Sequence, residues 1–119
     1  MAAASRRKSQ PAPPHVVFEA LTQPDRDPSR PWLQLLPREV RPRIVRADAP
    51  HLLVWSSLWI AHPTAQVRID IVARTQDSGT DLTWTLLLAE PLREPDEVAA
   101  LRKRLNQLIN GDLRATFDQ

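Results

Sequence analysis

Two tryptophans and two serines in one apolar segment are the first residues whose types and spacing could serve a function. In HLLVWSSLWIAHP, residues 51–63, Trp55 and Trp59 flank Ser56 and Ser57. Aromatic side chains can stack on nucleic-acid bases, fill a core, or line a pocket for an apolar ligand. The serines have neither a GxSxG elbow nor an adjacent base, so nucleophilic catalysis is not expected.

The spacing of the ionisable side chains indicates no catalytic residue. His15, His51 and His62 lack the spacing of a metal-ligand set and are expected in exposed loops. Arg68 and Asp70 alternate with apolar residues and are expected to face solvent. The chain contains no cysteine, which excludes a thiolate metal site and a cysteine nucleophile. No metal and no cofactor is expected, and a binding protein is favoured over an enzyme.

The positive charge is concentrated at the N-terminus. The sequence pI is about 9.9, but three of the 16 basic residues are Arg6, Arg7 and Lys8, which leaves 13 basic residues against 14 acidic ones. Residues 1–13 are predicted to form a disordered, basic and proline-rich tail, and residues 14–119 a single domain. Without a basic stripe in that domain, nucleic acid is not an expected partner.

The hydropathy of the chain predicts no membrane span, because no run approaches the roughly 20 apolar residues that a transmembrane helix needs. The N-terminus also lacks the apolar region of a signal peptide. We therefore expect a cytoplasmic protein.

The spacing of apolar residues predicts one short helix and then four strands. Residues 14–22 lie between two prolines and repeat apolar residues at helical spacing. Further along, the period changes to two, which is typical of strands. The predicted strands are residues 43–48, 51–60, 66–74 and 80–90.

The third and fourth strands are expected to form a hairpin. Ser78 and Gly79 can supply the positive φ of a two-residue turn. Such a turn pairs Ala73 with Trp84, Ile71 with Leu86, and Ile69 with Leu88. Both apolar sets then face the same side of the sheet.

A long amphipathic helix is predicted over residues 95–118. Its apolar stripe continues beyond Gly111, so we expect the helix to pass through this glycine at a cost of about 1 kcal/mol relative to alanine. Asn106 and Asn110, four residues apart, either reach the edge of a pocket or face water. The order of elements predicts an α+β fold.

The sequence resembles the SRPBCC superfamily, which has the Bet v 1-like or START-like helix-grip fold. The resemblance covers roughly residues 11–119 and rests on PPHVVFEALTQPDR, Trp32, LLVWSSLW, VRIDIVARTQDSGTDLTWTLL and the terminal LRATFDQ. It implies a curved antiparallel sheet wrapped around a long C-terminal helix, with a short N-terminal helix and an apolar cavity between sheet and helix. SRRKSQPA is a poor strand sequence, so the family's first strand is expected to be missing or degenerate.

The resemblance implies that a small hydrophobic ligand binds in this cavity. Ser57 or a tryptophan N–H would orient the ligand. The predicted lining is Trp55, Ser57, Trp59, Ile69, Ile71, Trp84, Leu86, Leu105 and Ile109. The alternatives are a polyketide cyclase-like enzyme and a protein-interaction module of the Hsp90-activator type.

Both faces of the predicted strand 51–60 are largely apolar. One face, with Leu53, Trp55, Ser57 and Trp59, is expected to line the interior. The other needs a cover, which is either the proline-rich segment or a second subunit in a homodimer.

Overall fold

The computed structural model describes residues 1–29, 31–89 and 94–117, which form five strands and two helical regions. The strands are β1 (Ala2–Gln10), β2 (Ile44–Asp48), β3 (Leu52–Trp55), β4 (Gln66–Ala73) and β5 (Thr80–Leu87). The helical elements are α1 (Pro14–Thr22), α2 (Pro95–Leu105), a π-helical segment (Asn106–Leu113) and α3 (Arg114–Phe117). The last three run on without a break and are called the C-terminal helix below.

The strands form one antiparallel sheet in the order β1-β5-β4-β3-β2. Every second side chain is fully buried on β4 from Val67 to Ile71 and along β5, as the alternating sequence predicted, whereas Ala73 at the end of β4 is exposed. These side chains, α1 and the C-terminal helix share one hydrophobic core on the inner face of the sheet. The α+β architecture and the helix at residues 14–22 are therefore confirmed.

The N-terminal residues differ from the sequence prediction of a disordered tail over residues 1–13 and of a missing or degenerate first strand. Residues 2–10 form β1, which pairs with β5 from Ala2 opposite Leu87 to Gln10 opposite Thr80. The backbone of β5 supplies hydrogen bonds whatever the side chains are, so local strand propensity is overridden by tertiary context. Charged side chains are also tolerated at a sheet edge, where they discourage pairing with another chain.

The β4–β5 hairpin has a longer loop than the predicted two-residue turn. Ala73 pairs with Thr80, Ile71 with Leu82, Ile69 with Trp84, and Val67 with Leu86. Arg74 explains the six-residue loop, because its backbone N–H donates to the Gly79 carbonyl oxygen and its guanidinium bonds to Asp77 and Asp81. The predicted pairs were wrong by four residues, an even number, so the buried faces were still predicted correctly.

Strand β3 is shorter than the predicted strand 51–60 and ends at Trp55. The Ser56 hydroxyl accepts a hydrogen bond from the Arg43 backbone N–H at 2.7 Å. The Ser57 hydroxyl bonds to both the N–H and the carbonyl oxygen of Trp59. Serine side chains that bond to nearby backbone compete with a strand ladder, which accounts for the early end of β3.

The segment after β3 contacts the proline-rich region instead. Glu39 and Trp59 form an isolated bridge, and the Val40 N–H donates to the Leu58 carbonyl oxygen at 2.7 Å. Arg38 has a φ of 72°, a left-handed conformation that turns the chain into this contact. The proline-rich segment thus supplies a cover here, although Ile60 remains 61% exposed.

The C-terminal helix passes through Gly111, as predicted; residue 118 of the predicted helix lies outside the described residues. Its buried apolar side chains are Leu101, Leu105, Leu108, Ile109 and Leu113. The stripe of apolar residues in the sequence is therefore the surface by which the helix joins the core.

The two glycines are expected to respond to alanine with opposite signs. A Cβ at Gly79 would lie 2.6 Å from the Gln10 carbonyl oxygen, whereas one at Gly111 would meet its nearest atom at 3.7 Å. Neither has a positive φ. We expect Gly79→Ala to lower the free energy of unfolding by about 1–3 kcal/mol and Gly111→Ala to raise it by about 0.4–1 kcal/mol. Urea denaturation measures both, and a stabilising Gly79→Ala would contradict the close approach of β1.

Candidate ligand-binding site

Seven of the nine side chains predicted to line a cavity lie together between the sheet and the C-terminal helix. Each is at most 1% exposed, and all belong to one continuous core. They are Trp55 on β3, Ile69 and Ile71 on β4, Trp84 and Leu86 on β5, and Leu105 and Ile109 on the C-terminal helix. The sequence pattern therefore identified a common apolar surface; contact of these residues with a ligand stays a prediction.

The other two predicted residues, Ser57 and Trp59, lie beyond the end of β3. Both are buried, but Ser57 bonds to the Trp59 backbone. The Trp59 side chain bonds to Glu39. Their polar groups thus have partners within the protein. Both residues belong to the segment after β3 and not to β4 or β5.

The tryptophan N–H groups have partners inside the protein. Trp55 Nε1 donates to the Leu21 carbonyl oxygen at 3.3 Å, and Trp84 Nε1 donates to Asn106 Oδ1 at 3.1 Å. Buried indoles normally find such acceptors. A ligand that used either N–H would have to displace the present partner.

Trp32 is a neighbour of the site that the sequence did not indicate. Its ring stacks on Trp55, with centroids 6.2 Å apart and an interplanar angle of 19°. Its Nε1 donates to the Ala20 carbonyl oxygen at 2.8 Å. The only signal was a tryptophan within a proline-rich segment, and Trp32 now closes the core beside α1.

A small polar cluster lies at the margin of this apolar surface. Asn106 Oδ1 accepts hydrogen bonds from Trp84 Nε1 and, at 3.0 Å, from Asn110 Nδ2. Asn110 is only 6% exposed, and its own Oδ1 is buried without a partner among the described residues. A buried acceptor without a donor is costly, so a ligand group that donated to Asn110 would remove this cost.

Arg104 and Glu39 form a buried ion pair that the sequence did not reveal. Arg104 Nε lies 2.9 Å from Glu39 Oε2, and the two side chains are 13% and 5% exposed. Burial raises the pKa of Glu39, but hydrogen bonds from Arg104 and the Leu36 N–H, with the Arg104 charge, outweigh burial and lower the pKa below its ordinary value. The pair fixes the proline-rich segment to the C-terminal helix.

Arg68 and Asp70 face solvent, as expected, whereas the His62 side chain is partly buried at 22% exposure. Arg68 Nε lies 3.1 Å from Asp70 Oδ2, and both side chains are exposed on β4. His62 Nε2 lies 3.8 Å from Glu97. Among the described residues, no group of three histidine or carboxylate side chains could hold a metal ion. No helix in residues 1–29, 31–89 and 94–117 is long and apolar enough to cross a membrane.

Comparison with known proteins defines the fold. No protein-family model and no curated protein matches the sequence. Among solved structures, a Rhodobacter sphaeroides protein is 20% identical with a TM-score of 0.67, covering 94% of this chain and 89% of its own. CalU16 from Micromonospora echinospora is 19% identical with a TM-score of 0.62, covering 92% and 74%. An Hsp90 activator from Plasmodium falciparum is 18% identical with a TM-score of 0.59, covering 92% and 89%.

These likenesses show that the chain has the Bet v 1-like helix-grip fold, which confirms the fold that the resemblance in the sequence implied. The five antiparallel strands, the short α1 and the long C-terminal helix correspond to that arrangement.

The buried ion pair predicts an acid sensitivity. The unfolded chain binds a proton at the ordinary pKa of 4.5, whereas folded Glu39 binds it at lower pH, so its contribution is present above that value and is lost as pH falls through the folded pKa. We expect Glu39→Gln to lower the free energy of unfolding by about 2 kcal/mol at pH 7 and to flatten its decline below pH 4.5.

The control is Glu19→Gln, because Glu19 is half exposed and lies 3.6 Å from Arg26. Urea denaturation between neutral and acid pH makes the comparison. An acid profile of Glu39→Gln that parallels the unaltered protein would contradict the role of the pair.

Proposed function

We propose that this protein binds a small hydrophobic molecule between the inner face of the sheet and the C-terminal helix. The fold supports binding of this general class, and the interface is built from aliphatic and aromatic side chains. Ligand pockets typically combine such a surface with a few polar groups that fix orientation. Removal of ligand area from water would supply the affinity, at roughly 25 cal/mol per Å² of apolar surface.

The observation that carries the proposal is the Trp84–Asn106–Asn110 cluster. It places one buried, unpartnered acceptor, Asn110 Oδ1, beside an otherwise apolar surface. A hydroxyl or N–H group on a ligand would satisfy it. The orienting contact predicted from the sequence, Ser57 or a tryptophan N–H, is thereby moved to Asn110.

The alternative of a polyketide cyclase-like enzyme would require an acid or base at this interface. Apart from the Arg104–Glu39 ion pair, the buried polar side chains of the described residues are Gln10, Ser57, Thr80 and Asn110, all of them uncharged. General acid–base catalysis needs a titratable group near the reacting atom. Binding is therefore the function that the geometry supports better.

Tryptophan fluorescence titrated with fatty acids, sterols and aromatic polyketides tests the proposal. We expect a saturable change for one class and a weaker affinity in Asn110→Leu, which keeps the residue's size but removes the acceptor. Leu36→Ala, at a 52% exposed site, is the control and should bind as the unaltered protein does. No saturable change with any class would contradict the proposal.

A protein-interaction module is the second candidate, and the free edge of the sheet favours it. Strand β2 is an edge strand, exposed along its whole length, with Ile44 and Val45 47% and 51% exposed. Exposed apolar edge strands readily pair with another strand. The sequence suggested a homodimer that covers the outer face of residues 51–60; we place its contact at the β2 edge instead.

Light scattering over a range of protein concentrations tests the edge. If β2 pairs between copies, the mass should double as concentration rises, and Val45→Lys should restore the monomer because charge blocks edge pairing. Val72→Lys is the matched control, since Val72 is 59% exposed on the interior strand β4. A monomer at every concentration would rule out the homodimer.

A further inference from the structure

A second cleft lies on the flank of the C-terminal helix, opposite β1. It has a volume of about 920 Å³ and is formed by side chains from β1 on one side and from α2 and the π-helical segment on the other. None of the residues predicted to line the apolar interface borders this cleft, although the two regions share Asn106 and Asn110. π-helical turns occur frequently at functional sites, and this one forms part of the cleft wall.

Four cationic side chains border the cleft: Arg6 and Lys8 from β1, and Arg102 and Lys103 from α2. None of the residues that line the cleft is acidic. Within the described ranges, none of the four makes an ion pair. Like charges gathered without counter-charges repel one another, and an anion between them would relieve that repulsion.

The sheet register explains why two charges of β1 face the helix. Arg6 lies opposite Trp84, and Lys8 lies opposite Leu82. Residues directly opposite each other in an antiparallel pair point to the same face, so both side chains emerge on the inner face at the sheet edge. Arg7, between them, emerges on the other face and does not border the cleft. The charge assigned from sequence to a disordered tail is thus part of a folded surface.

Two amides complete the cleft. Asn110 borders it with the unpartnered acceptor Oδ1. Asn106 borders it too, and its Oδ1 is occupied by Trp84 and Asn110, which leaves its Nδ2 donor without a partner in the described part of the chain. A free acceptor beside a free donor matches a hydroxyl group, which can donate and accept at once.

We propose that this cleft binds a small phosphorylated molecule that carries hydroxyl groups, as sugar phosphates do. The arginine guanidinium groups match phosphate oxygens in a fork geometry, and the lysines add point charges. The amides of Asn106 and Asn110 contact a hydroxyl. This site goes beyond the apolar ligand proposed above: it shares Asn110 with that proposal, but its four cationic side chains play no part there.

Charges that face inward from an edge strand have another known use, which is to prevent pairing with a second copy. That use requires neither α2 nor the asparagines. The presence of Arg102, Lys103 and an unpartnered buried acceptor on the opposite wall favours a ligand site over edge protection alone.

Calorimetric titration with fructose 1,6-bisphosphate tests the proposal. We expect saturable binding at one site, weakened about tenfold by Arg6→Gln and by Arg102→Gln, since each removes a charge-assisted hydrogen bond. Arg7→Gln removes the same charge from the other face of the same strand and should weaken binding less than about twofold, because salt screens charges beyond about 8 Å. Equal effects of Arg6→Gln and Arg7→Gln would overturn the proposal.

Three further probes identify the chemistry. Fructose, which has no phosphate group, should not bind. Pyrophosphate should bind, and Asn110→Leu should leave its affinity unchanged. The same substitution should lower the affinity for the sugar bisphosphate, which carries hydroxyl groups. The third probe is a phosphatidylcholine vesicle that contains phosphatidylinositol 4-phosphate. If the protein binds this vesicle and the sugar bisphosphate displaces it, the phosphate group that the cleft recognises belongs to a lipid headgroup.

Two results would overturn the site. Binding of a single-stranded oligonucleotide without binding of either phosphate probe would assign the charges to a nucleic-acid backbone. No binding of any probe, together with self-association of Arg6→Gln on light scattering, would assign them to edge protection. Fructose 1,6-bisphosphate and pyrophosphate are not apolar. A failure of both to bind therefore does not decide the result of the fluorescence titration with apolar ligands.

Discussion

The packing of the C-terminal helix on the inner face of the sheet is the interaction on which the rest of the structure depends. Four leucines and Ile109 of this helix share one core with the buried side chains of β4 and β5, and all but Leu101 are fully buried. Each such side chain contributes roughly 1.5–3 kcal/mol on burial. The same packing carries Asn106 to Trp84 and sets α2 opposite β1. It also brings Arg104 to Glu39, which holds the proline-rich segment in place.

Much of this arrangement follows from alternation along the chain, and the hairpin shows why. The predicted turn placed Ile71 opposite Leu86, whereas the structure places it opposite Leu82. Side-chain direction repeats every two residues, so an error of four leaves each residue on its predicted face. The composition of the core was therefore predictable from sequence, although the strand register was not.

What escaped prediction depends on contacts between distant parts of the chain. Strand β1 has a poor strand sequence and exists because β5 offers it a backbone to pair with. Glu39 and Arg104 are 65 residues apart, and nothing in their local sequence marks them as partners. The basic cleft has the same origin, since charges that seemed to belong to a free tail meet those of α2 only after β1 joins the sheet. In each case the role of a residue depends on a contact with a distant part of the chain and cannot be seen from its neighbours in sequence.

The two proposed sites share Asn106 and Asn110 as a common wall. Trp84 reaches this wall from the apolar side, and the cationic side chains reach it from the other. The nuclear magnetic resonance signals of the four indole N–H groups, recorded during titration with an apolar ligand, test the central claim most directly. Binding between sheet and helix predicts a saturable shift of the Trp84 signal, because its hydrogen bond to Asn106 lies at that interface. Indole signals that stay unchanged with every class of apolar ligand would contradict it.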